Sequence, residues 1–232
     1  MAEGGDDTER SEDPTQKRLD EALERGDVAK SQEVNTWFMI AGATLAIAIF
    51  GGSAATRIAL LFRDFLGGIG QMGGHNISYT RLAAGLLGDI LLIIAPFAGI
   101  LLLAALAGNY VQHGPLWTVK ALAPKLSRLS PLSGAQRIFS KNGLLQLAKS
   151  VAKFAIIGSV IFFVVYPEIP RIKLLVGSDV SQMMPLLLTL TLRLMFGVCA
   201  VMGLLAAADW WWARYSWYEK LRMTVREIKR ER

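Results

Sequence analysis

Asp89 and Arg193 are the charged side chains most closely framed by apolar sequence. An acid and a base so placed can form an ion pair where water is scarce. Asp89 precedes Gln112 by 23 residues, about 34 Å along a helix, and Arg193 precedes Asp209 by 16, about 24 Å. Both charges then belong towards the outer ends of their segments. An Asp89–Arg193 pair between the second and fourth segments is one reading, and separate snorkelling of each charge to the interface is the other. His75 and His113 stand in loop or interface contexts without ligand-like companions, so they suggest no metal site. Cys199 is the single cysteine, which rules out an intrachain disulfide and leaves it as a small packing residue. The sequence has no nucleophile elbow, HExxH, phosphate-cradling glycine loop or Cys/His cluster. It therefore predicts no enzyme, no metal and no cofactor.

The segments that must position these residues are apolar and long. Trp37 to Thr56 is 20 residues without a charge and Ile90 to Val111 is 22. Leu144 to Tyr166 carries Lys149 and Lys153 near its start, and Val180 to Ala208 is interrupted by Arg193 alone. About 20 apolar residues cross a hydrocarbon core, so four transmembrane-type helices are expected. The 53% hydrophobic and 19% charged composition agrees with a membrane class. Eleven acids and five bases in residues 1–36 are the wrong n-region for a signal peptide, although Ser53-Ala54-Ala55 resembles a cleavage site.

Charge sets the orientation. Residues 1–36, 112–153 and 209–232 hold five, seven and seven Lys/Arg, which is 19 of the 25. The positive-inside bias puts both termini and the middle loop in the cytoplasm, as four spans allow. Because the bases follow topology, the net charge of +6 does not indicate nucleic acid. Trp210, Trp211, Trp212, Tyr215, Trp217 and Tyr218 read as an interfacial belt where the fourth helix leaves the bilayer.

The expected fold is an all-α integral membrane protein. Its parts are a cytoplasmic tail (1–36), a first hairpin (37–111), a basic cytoplasmic loop (112–153), a second hairpin (144–208, overlapping the loop end) and a linker helix (209–232). Residues 112–153 hold no Asp or Glu, and 42 residues far exceed the 2–8 a helical connection needs. That surplus marks the loop as a partner site. Pro115, Pro124 and Pro131 forbid one long helix there, and Pro115 to Ser140 can reach about 85 Å when extended. Trp117, Val119, Leu122, Leu126, Leu129 and Leu132 supply apolar anchors.

Smaller signals concern packing and helix ends. Gly42/Ala46, Ala95/Gly99 and Ala104/Gly108 are small pairs that permit close helix approach, though membrane helices are rich in such residues anyway. Pro96 predicts a kink. Asp13-Pro14-Thr15-Gln16 reads as an N-cap, a first-turn proline and a capping-box glutamine. The short helix that follows has Leu19 and Leu23 on one face, Glu21 paired with Arg25, and Gly26 as its stop. Tyr218, Leu221, Val225 and Ile228 recur at helical spacing, which predicts that the fourth span continues as a helix beyond the membrane.

Three ordered motifs carry a resemblance. The first is Pro14-Thr15-x-Lys17-Arg18-Leu19-x-x-Ala22-x-x-x-Gly26-x-Val28-x-Lys30-Ser31. The second is Leu129-Ser130-Pro131-Leu132-Ser133-Gly134-x-x-Arg137-Ile138-Phe139-Ser140, with Leu144, Leu147, Lys149-Ser150 and Lys153. The third is Tyr218-x-Lys220-Leu221-Arg222-Met223-Thr224 with Glu227-Ile228-Lys229. Together with four spans, they resemble the FlhB/YscU family of type III export switch proteins, the flagellar branch more closely. Gln16, Leu23 and Arg230 depart from the family's usual residues, and the chain has no Asn-Pro dipeptide, so no Asn-Pro-Thr-His self-cleavage site. The resemblance therefore covers the membrane half.

The resemblance implies an export-gate component in the bacterial inner membrane. Its partners would be FliP-, FliQ- and FliR-like core subunits, an FlhA-like protein, membrane lipid and, indirectly, exported flagellar proteins. It also implies that the middle loop wraps the core's cytoplasmic entrance. A lipid-surface scaffold and a small secondary transporter are the alternatives the residues leave open.

Overall fold

The computed structural model describes residues 12–69, 79–114, 141–170 and 180–224. Among the described residues five α-helices follow one another: α1 (Gln16–Glu24), α2 (Gln32–Ile69), α3 (Tyr79–His113), α4 (Lys141–Val165) and α5 (Val180–Lys220). A 3-10 turn at Tyr166–Glu168 follows α4. Four of the helices, α2 to α5, are long and apolar enough to cross a membrane. At 38 residues α2 is about 57 Å long, so it runs well past the apolar block that ends at Thr56. Arg57, Arg63 and Asp64 therefore stand on helix rather than in a loop.

Backbone and side-chain chemistry explain why these segments can stay helical in apolar surroundings. The hydroxyls of Thr44, Thr56, Ser159 and Thr189 each donate to the carbonyl four residues earlier, at 2.7, 3.0, 2.7 and 2.8 Å. Each polar group is thus satisfied within its own helix. Pro96 and Pro185 lie inside α3 and α5.

The chain divides into two compact units. The first comprises Met1–Val34, Asn109–Ala152 and Leu204–Arg232, and the second comprises Asn35–Gly108 and Lys153–Gly203. In the second unit, small residues set the helix contacts. A methyl added at Gly42 of α2 would lie 2.6 Å from Ala104 Cβ of α3. One at Gly108 would lie 3.2 Å from Phe38 Cβ, and one at Gly203 of α5 would meet the Trp37 indole nitrogen at 2.8 Å. Two of the three small pairs therefore serve close approach, with Ala46 and Ala104 buried beside Gly42 and Gly108. Gly99 differs, because none of the described residues lies within 4 Å of its added methyl. Phe50 and Phe97 add a tilted ring pair across α2 and α3, with centroids 6.1 Å apart.

In the first unit, α1 begins one step later than its sequence suggests. Thr15, not Asp13, is the N-cap: its hydroxyl accepts from Arg18 N–H at 3.3 Å, and its carbonyl accepts from Leu19 N–H at 3.1 Å. Pro14 falls outside the helix and is buried. A threonine hydroxyl can reach the third amide on, and that contact outcompetes the proline's preference for the first helical position. At the other end Gly26, at φ +73°, takes the left-handed conformation. Asp27 N–H returns to Ala22 C=O at 2.9 Å and Gly26 N–H to Leu23 C=O at 2.9 Å, a Schellman stop. Ala22 is the buried residue of this helix, while Leu23 is exposed.

Candidate functional site

In the first unit the first motif meets the third. Glu12 and Met223 form an antiparallel bridge, with Glu12 N–H donating to Met223 C=O at 3.2 Å and Met223 N–H returning to Glu12 C=O at 3.0 Å. Met223 is 1% exposed and Leu221 9%. The Thr15 hydroxyl also approaches Met223 Sδ at 3.9 Å. This arrangement corrects the expectation of a helix continuing through the linker. Helix α5 ends at Lys220, and Leu221 to Thr224 are non-helical. The helical stripe gives way because Met223 gains a pair of backbone hydrogen bonds and a buried side-chain position that an outward-running helix would lack. Val225 and Ile228, the stripe's other members, lie outside the described residues.

Ser31 is the second anchor. It is 1% exposed and precedes the first residue of α2. Its hydroxyl donates to Asp209 Oδ2 of α5 at 2.7 Å and accepts from Val34 N–H at 3.4 Å. Its N–H donates to Gln112 Oε1 near the end of α3 at 2.7 Å. One serine thus caps α2, holds a carboxylate and receives a side-chain amide oxygen. Its hydroxyl and its N–H are both engaged, a demanding arrangement for a buried polar residue. Gln112 and Asp209 had no assigned role from sequence beyond marking segment boundaries. The usable signal was Asp209 standing alone as the acid that closes the fourth apolar block.

Other motif positions are distributed around these anchors. Lys17 and Lys30 are exposed, while Arg18 and Leu19 are half-buried. Trp217 Nε1 donates to Asp27 C=O at 3.2 Å, so one member of the aromatic belt turns to the N-terminal tail. Trp211 and Trp212 stay exposed, and Arg214 sits 5.5 Å over the Trp210 ring. Tyr218 and Lys220 are exposed, and Arg222 Nε is sheltered with no acceptor among the described residues. Trp117, Leu122, Leu126, Leu129, Pro131, Leu132, Arg137 and Phe139 lie outside the described residues, as does His75.

The second unit contains the charges of the apolar segments. Arg193 Nη1 of α5 pairs with Glu168 Oε1, just past α4. Arg193 thus takes Glu168 as its partner, whereas the sequence had offered a pair with Asp89 or separate snorkelling of each charge. Glu168 is nearer in space because α4 and α5 pack face to face, with Gly197 against Val160 and Val164. Its side chain is 6% exposed against 51% for Arg193. Asp89 instead borders a cavity of about 280 Å³ between α2 and α3, together with Arg57 and Asp64. Trp37 Nε1 donates to Cys199 C=O at 3.0 Å, so the cysteine contributes its backbone to helix packing.

Among the described residues, no nucleophile is aligned with a base in this geometry. Its content is recognition and attachment: a tail clasped to a linker, and helices tied at polar nodes. The model of the FlhB HrpN YscU SpaS Family matches residues 8–232. The chain belongs to that family. Among curated relatives, the flagellar biosynthetic protein FlhB of Bacillus subtilis (strain 168) is 28% identical over 226 residues, covering 96% of this chain and 62% of the relative. FlhB of Yersinia enterocolitica is 29% identical, covering 100% and 60%. Yop proteins translocation protein U of Yersinia pestis is 25% identical, covering 96% and 62%. This family member thus spans about 60% of the length of the relatives it matches.

Proposed function

We propose that the chain is the membrane portion of a flagellar type III protein export-gate component, contributing to gate assembly or opening and to the switch between substrate classes. The observation that carries this reading is the family match together with the Glu12–Met223 clasp, beside which Thr15 of the N-terminal motif touches Met223 of the linker motif. A component that hands position to a following segment needs its exit point held, and Met223 is held. In this reading, the protein lies in the bacterial inner membrane as two hairpins, α2–α3 and α4–α5, with both termini and the 112–153 loop in the cytoplasm. The positive-inside distribution supports that topology. Partners are FliP-, FliQ- and FliR-like core subunits and an FlhA-like protein, with exported flagellar proteins encountered indirectly.

The loop provides the test. Photo-crosslinkers at Leu126, Leu129 and Leu132 should capture FliP-, FliQ- or FliR-like subunits in cells. Deleting about ten residues from Pro115 to Lys125 removes roughly 33 Å of extended reach and should abolish secretion while leaving insertion intact. Crosslinks to lipid alone, combined with normal secretion after the deletion, would discard the reading.

A further inference from the structure

The cavity between α2 and α3 has a charge pattern that the export reading does not use. Arg57 stands one residue beyond the charge-free block ending at Thr56, and Asp89 one residue before the block beginning at Ile90. In a bilayer both lie at headgroup depth. Arg57, Asp64 and Asp89 face the same cavity of about 280 Å³, whose remaining wall is apolar and includes Leu92 and Ile93. Among the described residues, neither Arg57 nor Asp89 has an ion-pair partner, whereas Asp64 has Arg63 at 3.4 Å. A second cavity of about 140 Å³ shares Arg57, Leu92 and Ile93 and extends along Phe50, Pro96 and Phe97. The pair of cavities therefore grades from charged to apolar along the direction in which a lipid lies.

We propose that this groove binds one phospholipid with a primary-amine, zwitterionic headgroup, a phosphatidylethanolamine. The phosphate meets the Arg57 guanidinium, whose planar fork suits phosphate oxygens. The ammonium reaches the Asp64 and Asp89 carboxylates, and an acyl chain starts along Phe50, Pro96 and Phe97. Other occupants match less well. An inorganic phosphate or an anionic glycerol headgroup meets two carboxylates with nothing positive to offer them. A divalent cation meets Arg57. A choline headgroup has the right charges, but its quaternary nitrogen has no N–H to donate to a carboxylate.

The test uses the whole chain in nanodiscs made from equal amounts of phosphatidylethanolamine, phosphatidylcholine and phosphatidylglycerol, released into native mass spectrometry. Phosphatidylethanolamine should be retained several-fold over both others. Arg57→Gln and Asp89→Asn should each reduce that excess about tenfold, with helix content unchanged by circular dichroism. Replacing phosphatidylethanolamine with its mono-, di- and trimethylated forms needs no substitution in the protein, and retention should fall stepwise as N–H donors are lost. Equal retention across the methylation series, a preference for phosphatidylglycerol, or an excess untouched by either substitution would each overturn the proposal.

Discussion

Ser31 shows how much a single hydroxyl can hold. It bridges an amide of α2 and the Asp209 carboxylate while its own N–H engages Gln112. Ser31→Ala removes the cap and leaves a carboxylate short of a donor. A loss of about 2–3 kcal/mol is expected, read as a lowered thermal midpoint in detergent. Asp209→Asn should cost less, because an amide oxygen still accepts from the hydroxyl. The Glu168–Arg193 pair gives a second residue-scale test. Arg193 is half exposed, so its interaction is partly screened, and Glu168→Arg or Arg193→Glu alone should each cost about 1–2 kcal/mol. The double exchange should recover most of it in a double-mutant cycle. The sequence left Arg193 either paired with Asp89 or snorkelling alone, because linear spacing does not say which neighbouring helix faces Arg193.

Helix existence was legible because 20 apolar residues admit few other solutions in a bilayer. Helix ends were not. Helix α2 overruns its apolar block by more than ten residues, to Ile69, since hydropathy reports the hydrocarbon layer and not the end of hydrogen bonding. Helix α5 stops at Lys220 because Glu12, 211 positions before Met223, supplies that residue with a bridge that no local window contains. The small-residue pairs were legible as candidates only. Gly42 and Gly99 have the same kind of spacing, yet one faces Ala104 and the other faces open space. Their alanine variants should separate accordingly. Gly42→Ala should lower stability by about 1–3 kcal/mol through overpacking. Gly99→Ala should be neutral or stabilise by up to about 1 kcal/mol, from helix propensity. Parallel thermal melts of the two variants would check this.

At the scale of the whole molecule, the topology rests on where 19 of 25 bases fall. A cysteine placed at Gly70 should react with an impermeant maleimide added to intact spheroplasts, whereas one at Ser133 should react only after the inner face is opened. The reverse pattern would invert the proposed topology. The membrane class and the three motifs could be read from the chain. The joining of the first motif to the third could not, because nothing in either segment alone encodes the other's position.

That joining also constrains the order of events during synthesis. Thr15 and Met223 touch across 208 positions of sequence, so Thr15 leaves the ribosome long before its partner does. A ribosome must deliver all four apolar helices before the linker emerges. Until then the Pro14–Ser31 segment has no Met223 to close upon, and its apolar positions remain open to chaperones or early assembly partners. Closure of the clasp thus reports that α5 has been threaded. A subunit interrupted within α5 would keep an unfastened tail and could be told by that alone from one synthesised past Met223.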